Sequence, residues 1–230
     1  MPQEIKTIRL SLFLRLGSVN CYLIETDAGY ILIDTGGSNK RAELEKELRN
    51  AGCRPGNLKL IVLTHGDFDH TGNAAYLRQK LGPKVAMHAK DSPMVERGDM
   101  FLNRKKPNIL VRKLVPILSG FGKAERFTPD LYLNEGDDLS GYGFDAQILC
   151  IPGHSQGSIG ILTVAGDLFC GDLFENTDEP ALNSLMDDLA AAHASLEKLR
   201  NLEISTVYPG HGEPFSMELF TEELFTESHR

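Results

Sequence analysis

Four of the seven histidines in this 230-residue chain, His65, His70, His154 and His211, stand in glycine-containing segments that directly follow apolar runs. Loops at strand ends are where a rigid scaffold presents reactive groups. The densest segment is Thr64-His65-Gly66-Asp67-Phe68-Asp69-His70, with two imidazoles and two carboxylates in six residues. His65, Asp67 and Asp69 alternate and His70 adjoins the last, so one loop can turn two pairs of donors toward two neighbouring points. Imidazole and carboxylate are the donors that hard to borderline divalent cations take. Asp172, after Leu168-Phe169-Cys170-Gly171, could supply an oxygen to each of two ions, and Pro-Gly-His occurs twice, at 152–154 and 209–211. His65, Asp67, Asp69, His70, His154, Asp172 and His211 are thus seven candidates for two metals. The expected chemistry is hydrolysis, since two close cations lower the pKa of a shared water and polarise the group under attack. His88, His193 and His229 read as structural.

The elements that must position these residues alternate between strand and helix. Segments 8–16, 21–25 and 30–33 are rich in strand formers and broken by Gly17 and Asp27-Ala28-Gly29. Ser38 is placed to cap a helix with Leu44, Leu48 and Ala51 on one face, stopped by Gly52. Leu60-Ile61-Val62-Leu63 is apolar at every position, the pattern of a strand buried on both faces, and it runs directly into His65. A helix over 74–81 and a strand over 85–88 follow. Segments 146–151, 158–164, 168–171 and 205–208 read as further strands, and Leu185, Leu189, Ala192, Leu196 and Leu199 predict a helix behind an Asn183 or Ser184 cap. No longer repeat occurs, which argues against a solenoid.

Composition narrows the class. At 41% apolar residues the chain can bury a core, and its net charge of −8 argues against a nonspecific nucleic-acid binder. No apolar run reaches the roughly 18 residues of a membrane span, and the charged start MPQEIKTIRL is unlike a signal peptide. The expectation is a cytoplasmic protein that binds no membrane. Cys21, Cys53, Cys150 and Cys170 are widely spaced and read as reduced, mostly buried thiols.

The metal-site motifs, taken in order, resemble the metallo-β-lactamase superfamily: His65-Gly66-Asp67-Phe68-Asp69-His70, His154 in Gly-His-Ser, Asp172 in Cys-Gly-Asp, and His211 in Pro-Gly-His-Gly. Asn20-Cys21-Tyr22-Leu23-Ile24 and Leu32-Ile33-Asp34-Thr35-Gly36 also sit where that family's early strands and supporting Asp fall. The resemblance covers nearly the whole chain and implies an α/β fold, a four-layer αβ/βα sandwich of two mixed sheets with helices outside, as one domain over 1–230. It assigns His65, Asp67 and His154 to one ion and Asp69, His70 and His211 to the other, with Asp172 as the bridge and Asp69 moving the proton. The implied cofactors are two divalent ions, zinc first and iron or manganese as alternatives.

The departure is Asp67, where most relatives carry His. Two divalent cations, three carboxylates and a shared hydroxide make a neutral cluster, where a His would leave it singly positive. An oxygen-rich site of that kind is expected to favour manganese or iron more than an all-His loop does. The implied function is a dinuclear hydrolase of an ester-type bond: carboxylic ester, lactone, thioester or phosphoester. Glu175, three past Asp172, stands near where the quorum-signal lactonases carry Tyr. The sequence stops at Arg230 soon after the last motif, so the helical segment of glyoxalase II is not expected, and Asp172 stands where several penicillin-hydrolysing classes use Cys. The alternative is a diiron redox or oxygen-binding protein like the flavodiiron metal domain, which has Glu in the slot of Asp67.

One segment differs in composition. Between Arg97 and Arg126 there are eight basic residues and two acids, a formal +6 in a chain of −8, laced with apolar side chains. It is expected to be an insertion that acts as a lid or homodimer element, with Arg104, Lys105 and Lys106 lending charge to a small anionic substrate. A solvated face over a small satellite core is the plainer expectation.

Overall fold

The computed structural model describes residues 4–12, 17–102, 104, 114–115 and 120–219. Among them, two six-stranded mixed sheets face each other. The first runs in the order β1 (Ile5–Ser11), β2 (Ser18–Thr26), β3 (Gly29–Ile33), β4 (Leu58–Val62), β5 (Lys84–Met87) and β6 (Leu131–Tyr132). It is an antiparallel meander through β3 and parallel from there. The second contains β7 (Ala146–Cys150), β8 (Ile159–Thr163), β9 (Asp167–Asn176), β10 (Ala181–Leu182), β11 (Thr206–Gly212) and β12 (Phe215–Ser216). Its order is β12-β11-β9-β8-β7, with β10 paired to β9, and β9 and β11 are parallel neighbours. Helices α1 (Arg41–Asn50), α2 (Phe68–Thr71), α3 (Ala74–Leu81), α4 (Ser92–Arg97) and α5 (Leu189–Arg200) accompany the sheets.

The uninterrupted apolar run at 60–63 is explained by burial on both faces. Leu60 and Val62 join Ile31, Ile33, Ile148, Ile161 and Phe169 in the core between the sheets. Ile61 and Leu63 point the other way, with Leu32, into the core shared with Leu44 and Leu48 of α1 and Leu77 of α3. A third core joins Leu149, Leu168 and Val207 to Ala192, Leu196 and Leu199 of α5. Side chains alternate along each strand, so helix, sheet, sheet and helix stack as four layers. This is the four-layer αβ/βα sandwich. None of the helices is long and apolar enough to cross a membrane among the described residues.

Several boundaries differ from the sequence expectation. Ser38 does not cap α1; its hydroxyl donates to the Gly120 carbonyl at 2.6 Å, and a short 3-10 turn over Ser38–Lys40 precedes the helix. The last helix begins at Leu189 rather than near 184. Asp188 caps it by accepting from Ala191 N at 3.0 Å, while Asn183 Oδ1 takes the Leu185 amide in a local turn. Leu185 therefore sits in a loop and is exposed. β9 and β11 run further than expected, so Asp172 and His211 lie on strands at register shifts rather than beyond them.

Of the basic segment, residues 103, 105–113 and 116–119 lie outside the described residues, and with them Lys105, Lys106, Arg112 and Lys113; so does His229. Its C-terminal end is docked: Phe121 is buried and stacks on Phe68 with ring centres 4.0 Å apart. The inter-sheet core is what holds the two site-bearing halves in register. Leu60→Ala removes a fully buried side chain there and is expected to cost about 2–5 kcal/mol, read as a lowered midpoint in urea unfolding, with the slope unchanged.

Candidate metal centre

The loops that follow β4 and β7 and the distal halves of β9 and β11 converge at one edge of the two sheets. In open α/β sheets this edge, at the carboxyl ends of parallel strands, is where ligands bind. After β4 the chain crosses His65 and Gly66 and enters α2, whose N-cap position is Asp67. An aspartate there ordinarily caps its own helix. Asp67 instead makes no cap bond and turns its carboxylate toward His154 and Arg104. Asp69 and His70 lie on α2, His154 in the loop after β7, Asp172 on β9 and His211 on β11. Gly210 lets these strands close on the site, because a Cβ there would lie 2.2 Å from Asp172 Oδ1 and 2.8 Å from the His70 ring.

All seven predicted residues are brought together. Their rings form a chain, with centres 4.8 Å apart for His154 and His65, 4.2 Å for His65 and His70, and 5.4 Å for His70 and His211. On one side, ligand atoms of His65, His154 and Asp172 lie within 4.8 Å of one another; on the other, so do those of Asp69, His70 and His211. Asp67 adjoins the first set, with Oδ2 3.1 Å from His154 Nε2 and 3.8 Å from His65 Nε2. Asp172 stands between the sets: Oδ1 is 3.3 Å from His70 Nε2, and Oδ2 is 3.3 Å from His211 Nε2 and 3.9–4.0 Å from those of His154 and His65. Asp69 Oδ2 lies 3.8 Å from His70 Nε2 and 3.6 Å from His211 Nε2.

Every imidazole is held by its other nitrogen. His154 Nδ1 donates to the Leu185 carbonyl at 2.6 Å and His211 Nδ1 to the Ser18 carbonyl at 2.7 Å. His70 Nδ1 donates to Asp34 Oδ2 at 2.9 Å. Thr64 Oγ1 gives its own proton to Asp34 Oδ2, so it accepts from His65 Nδ1 at 2.9 Å. All four Nε2 atoms are thereby left as the inward donors, the arrangement that fixes tautomer and ring direction in metal-binding histidines.

A pair of divalent cations fits these residues. His65 Nε2 is buried with no hydrogen-bond partner, and so is Asp172 Oδ1. Buried polar atoms left unpaired are costly, and both point into the space between the two sets. Ligands at about 2.0–2.2 Å from a tetrahedral cation are separated by about 3.4 Å, close to the separations found here.

The charges reinforce one another. Burial works against the charged form of Asp67, Asp172 and the four histidines. Asp172 is nevertheless held well below the usual carboxylate range by His211 and His70. Burial likewise opposes protonation of His70, His154 and His211, but the carboxylates win. Asp172, with Asp69 and Asp34, raises His70 well above the ordinary imidazole value, Asp67 raises His154, and Asp172 pushes His211 up to about 9. His65 goes the other way, driven down by burial and by the charge of His70. Against its own burial, Asp67 is held well below its usual range by Arg104 and then His154.

Sequence reasoning missed two supporting acids. Asp91, 2% exposed, accepts from Gly66 N at 2.9 Å, Gly157 N at 2.8 Å and Ser155 Oγ at 2.6 Å, tying the His65 loop to the His154 loop. Asp187 pairs with Arg104 Nε at 2.6 Å. Neither lies in a recognisable motif, and each has a partner more than 60 residues away in sequence. Arg104 was expected to meet an anionic substrate; it is instead committed to Asp67 and Asp187.

Comparison with known proteins agrees with this fold. A sequence model described as the Metallo-beta-lactamase superfamily matches residues 14–211. The probable metallo-hydrolase YqjP of Bacillus subtilis (strain 168) is 27% identical over 97% of this chain and 76% of its own length. The hydroxyacylglutathione hydrolase GloC of Haemophilus influenzae is 33% identical over 62% of this chain and 60% of its own. Among solved structures, the metallo-beta-lactamase family protein TTHA1429 of Thermus thermophilus superposes with a TM-score of 0.75 at 24% identity, covering 98% of this chain and 79% of that one. TTHA1623, in a di-iron-bound form, superposes with a TM-score of 0.67 at 29% identity, covering 92% and 95%. Four inward-facing imidazoles with interleaved carboxylates at the sheet edge of an αβ/βα sandwich, together with the match over most of its length, mean that this chain belongs to the metallo-β-lactamase superfamily.

Proposed function

We propose that the chain is a dinuclear metal-dependent hydrolase that cleaves an ester-type bond, whether of a carboxylic ester, lactone, thioester or phosphoester. The observation that carries this is Asp172, a buried carboxylate standing between two donor sets at ligand-like separations. His65, Asp67 and His154 would hold one ion and Asp69, His70 and His211 the other, with Asp172 shared. Zinc suits the imidazoles, and iron or manganese suits the added carboxylates. Such ions, when bound, supply a water acidic enough to react near neutral pH and an electrophile for the bond under attack.

The chain's own residues do the rest. Asp69 has the most exposed side chain of the seven, at 29%, which supports giving it the role of taking up and passing on a proton. Asp34 and Thr64 orient His65 and His70. The relative named as a hydroxyacylglutathione hydrolase supports keeping the thioester in the substrate class. A diiron redox role is the competing class, and a visible iron band that responds to oxygen would favour it.

Protein prepared in balanced metals is expected to hold two equivalents of divalent metal per chain by elemental analysis, and to hydrolyse members of a panel of p-nitrophenyl esters, lactones, thioesters and phosphodiesters until treated with a chelator. Asp172→Ala should lose at least one equivalent; full retention would remove the bridging role. Asp69→Asn is expected to lower kcat about a hundredfold or more while losing little metal, so equal loss of both would make Asp69 a ligand only.

Proton linkage gives a further expectation. In chelator-stripped protein the raised His211 contributes stability that is fully present below about 6.5 and is lost as pH rises through about 9, with His70 and His154 acting in the same direction. The stripped protein should therefore lose melting temperature across that window. Bound metal displaces those protons, so loaded protein should not show the loss, and loading at neutral pH should release protons into weak buffer.

A further inference from the structure

Arg104 is a cation of the basic segment that the fold carries into the site. Its side chain is only 9% exposed and makes three contacts. Nη1 donates to Asp67 Oδ1 at 2.6 Å, Nε lies 2.6 Å from Asp187 Oδ2, and Nη2 donates to the His154 carbonyl at 3.2 Å. The planar fork of a guanidinium can serve two carboxylates and a carbonyl at once, which a lysine ammonium on a flexible stem cannot do with the same geometry.

Asp67 is changed by this pairing in two ways. A carboxylate can offer a cation both oxygens, but Oδ1 is taken, so only Oδ2 remains toward His65 and His154. Its negative charge is also matched by the guanidinium beside it. One donor atom and no net charge is what an imidazole would present. The positive charge that a His at this position would have left on the cluster is supplied by Arg104.

We propose that Arg104 is a positioning residue that makes Asp67 act as a one-atom, charge-matched stand-in for an imidazole, and so holds the centre's preference toward zinc over manganese. This rests on the reading of the seven residues as metal ligands. Without the guanidinium, Asp67 regains its second oxygen and the centre becomes more anionic. More oxygen donors and more negative charge are what manganese favours over zinc. A purely structural Arg104, tying the segment to the loops, would leave the preference untouched.

The test is a cycle of four proteins: wild type, Arg104→Gln, Asp67→His, and the double variant. Each is stripped, checked for fold by circular dichroism, and titrated separately with zinc and manganese against a competing fluorescent chelator. Arg104→Gln should narrow the zinc-over-manganese affinity ratio about tenfold or more, with a manganese resonance spectrum changed from that of the wild type. In the Asp67→His background the same replacement should change the ratio by less than about twofold, because the carboxylate it acts through is gone. A ratio that moves equally in both backgrounds, or in neither, overturns the proposal while leaving the ligand reading intact. Wild type that binds neither metal overturns the ligand reading, and the proposal with it. Should Arg104→Gln fail to fold, Arg104→Lys keeps the charge without the fork. It is expected to narrow the ratio in the same direction by a smaller factor, and an unchanged ratio there overturns the proposal.

Discussion

The site depends first on the carboxylate of Asp34. It accepts from Thr64 N at 2.9 Å, Thr64 Oγ1 at 2.8 Å and His70 Nδ1 at 2.9 Å. Through the Thr64 hydroxyl it also reaches His65, so one buried acid sets the tautomer and aim of the two central imidazoles. To do this it leaves the end of β3 with a φ of 59°, the one positive φ outside glycine among the described residues. Aspartate tolerates that region better than most residues. The conformation is over-determined from both sides: Asp34 N still donates to Val62 O, and Thr35 N and Oγ1 both donate to the His70 carbonyl. Backbone strain of this kind persists where surrounding bonds hold it.

The second requirement is that the two halves meet at a fixed distance, since His65, Asp67, Asp69 and His70 come from one and His154, Asp172 and His211 from the other. Two polar staples do this. Asp91, just after β5, clamps the loop before β8, where a Cβ at Gly157 would lie 2.6 Å from its carboxylate. Asn20 on β2 donates to the Pro209 and Gly212 carbonyls at 3.0 and 2.7 Å, and Tyr22 OH to Pro209 at 2.5 Å. These bracket His211, whose ring is also tied to Ser18. A buried polar network that is fully satisfied gives a unique geometry, and here it lies at the seam between the halves.

What could be read from the sequence followed from local physics. The run Leu60-Ile61-Val62-Leu63 declares burial on both faces because each side chain, whichever way it points, meets a core. The four converging histidines were legible because Pro-Gly-His occurs twice and one short segment concentrates donors in six residues. What stayed hidden depends on contacts distant in sequence. The start of α5 was misplaced because Leu185 and Leu189 keep helical spacing, yet Asn183 and Asp188 form a turn and a cap that shift the boundary by several residues. Nothing local marks Asp91 either, since its three partners lie 25 to 66 residues away.

Arg104 shows the same limit from the side of charge. A run of cations beside a predicted cleft reads naturally as attraction for an anionic substrate, but composition cannot say which cation is already spent. Arg104 is buried between Asp67 and Asp187, and removing the guanidinium would strand the buried Asp67 carboxylate at a cost of about 3–5 kcal/mol. The segment is further tied by Phe121 on Phe68 and by Glu125 on Arg41. Two of these three anchors are Asp67 and Phe68, neighbours in the donor loop itself. The described residues of the segment are therefore held against the donor residues themselves. Arg104, with its guanidinium on Asp67, is thereby turned toward the donor residues rather than toward solvent.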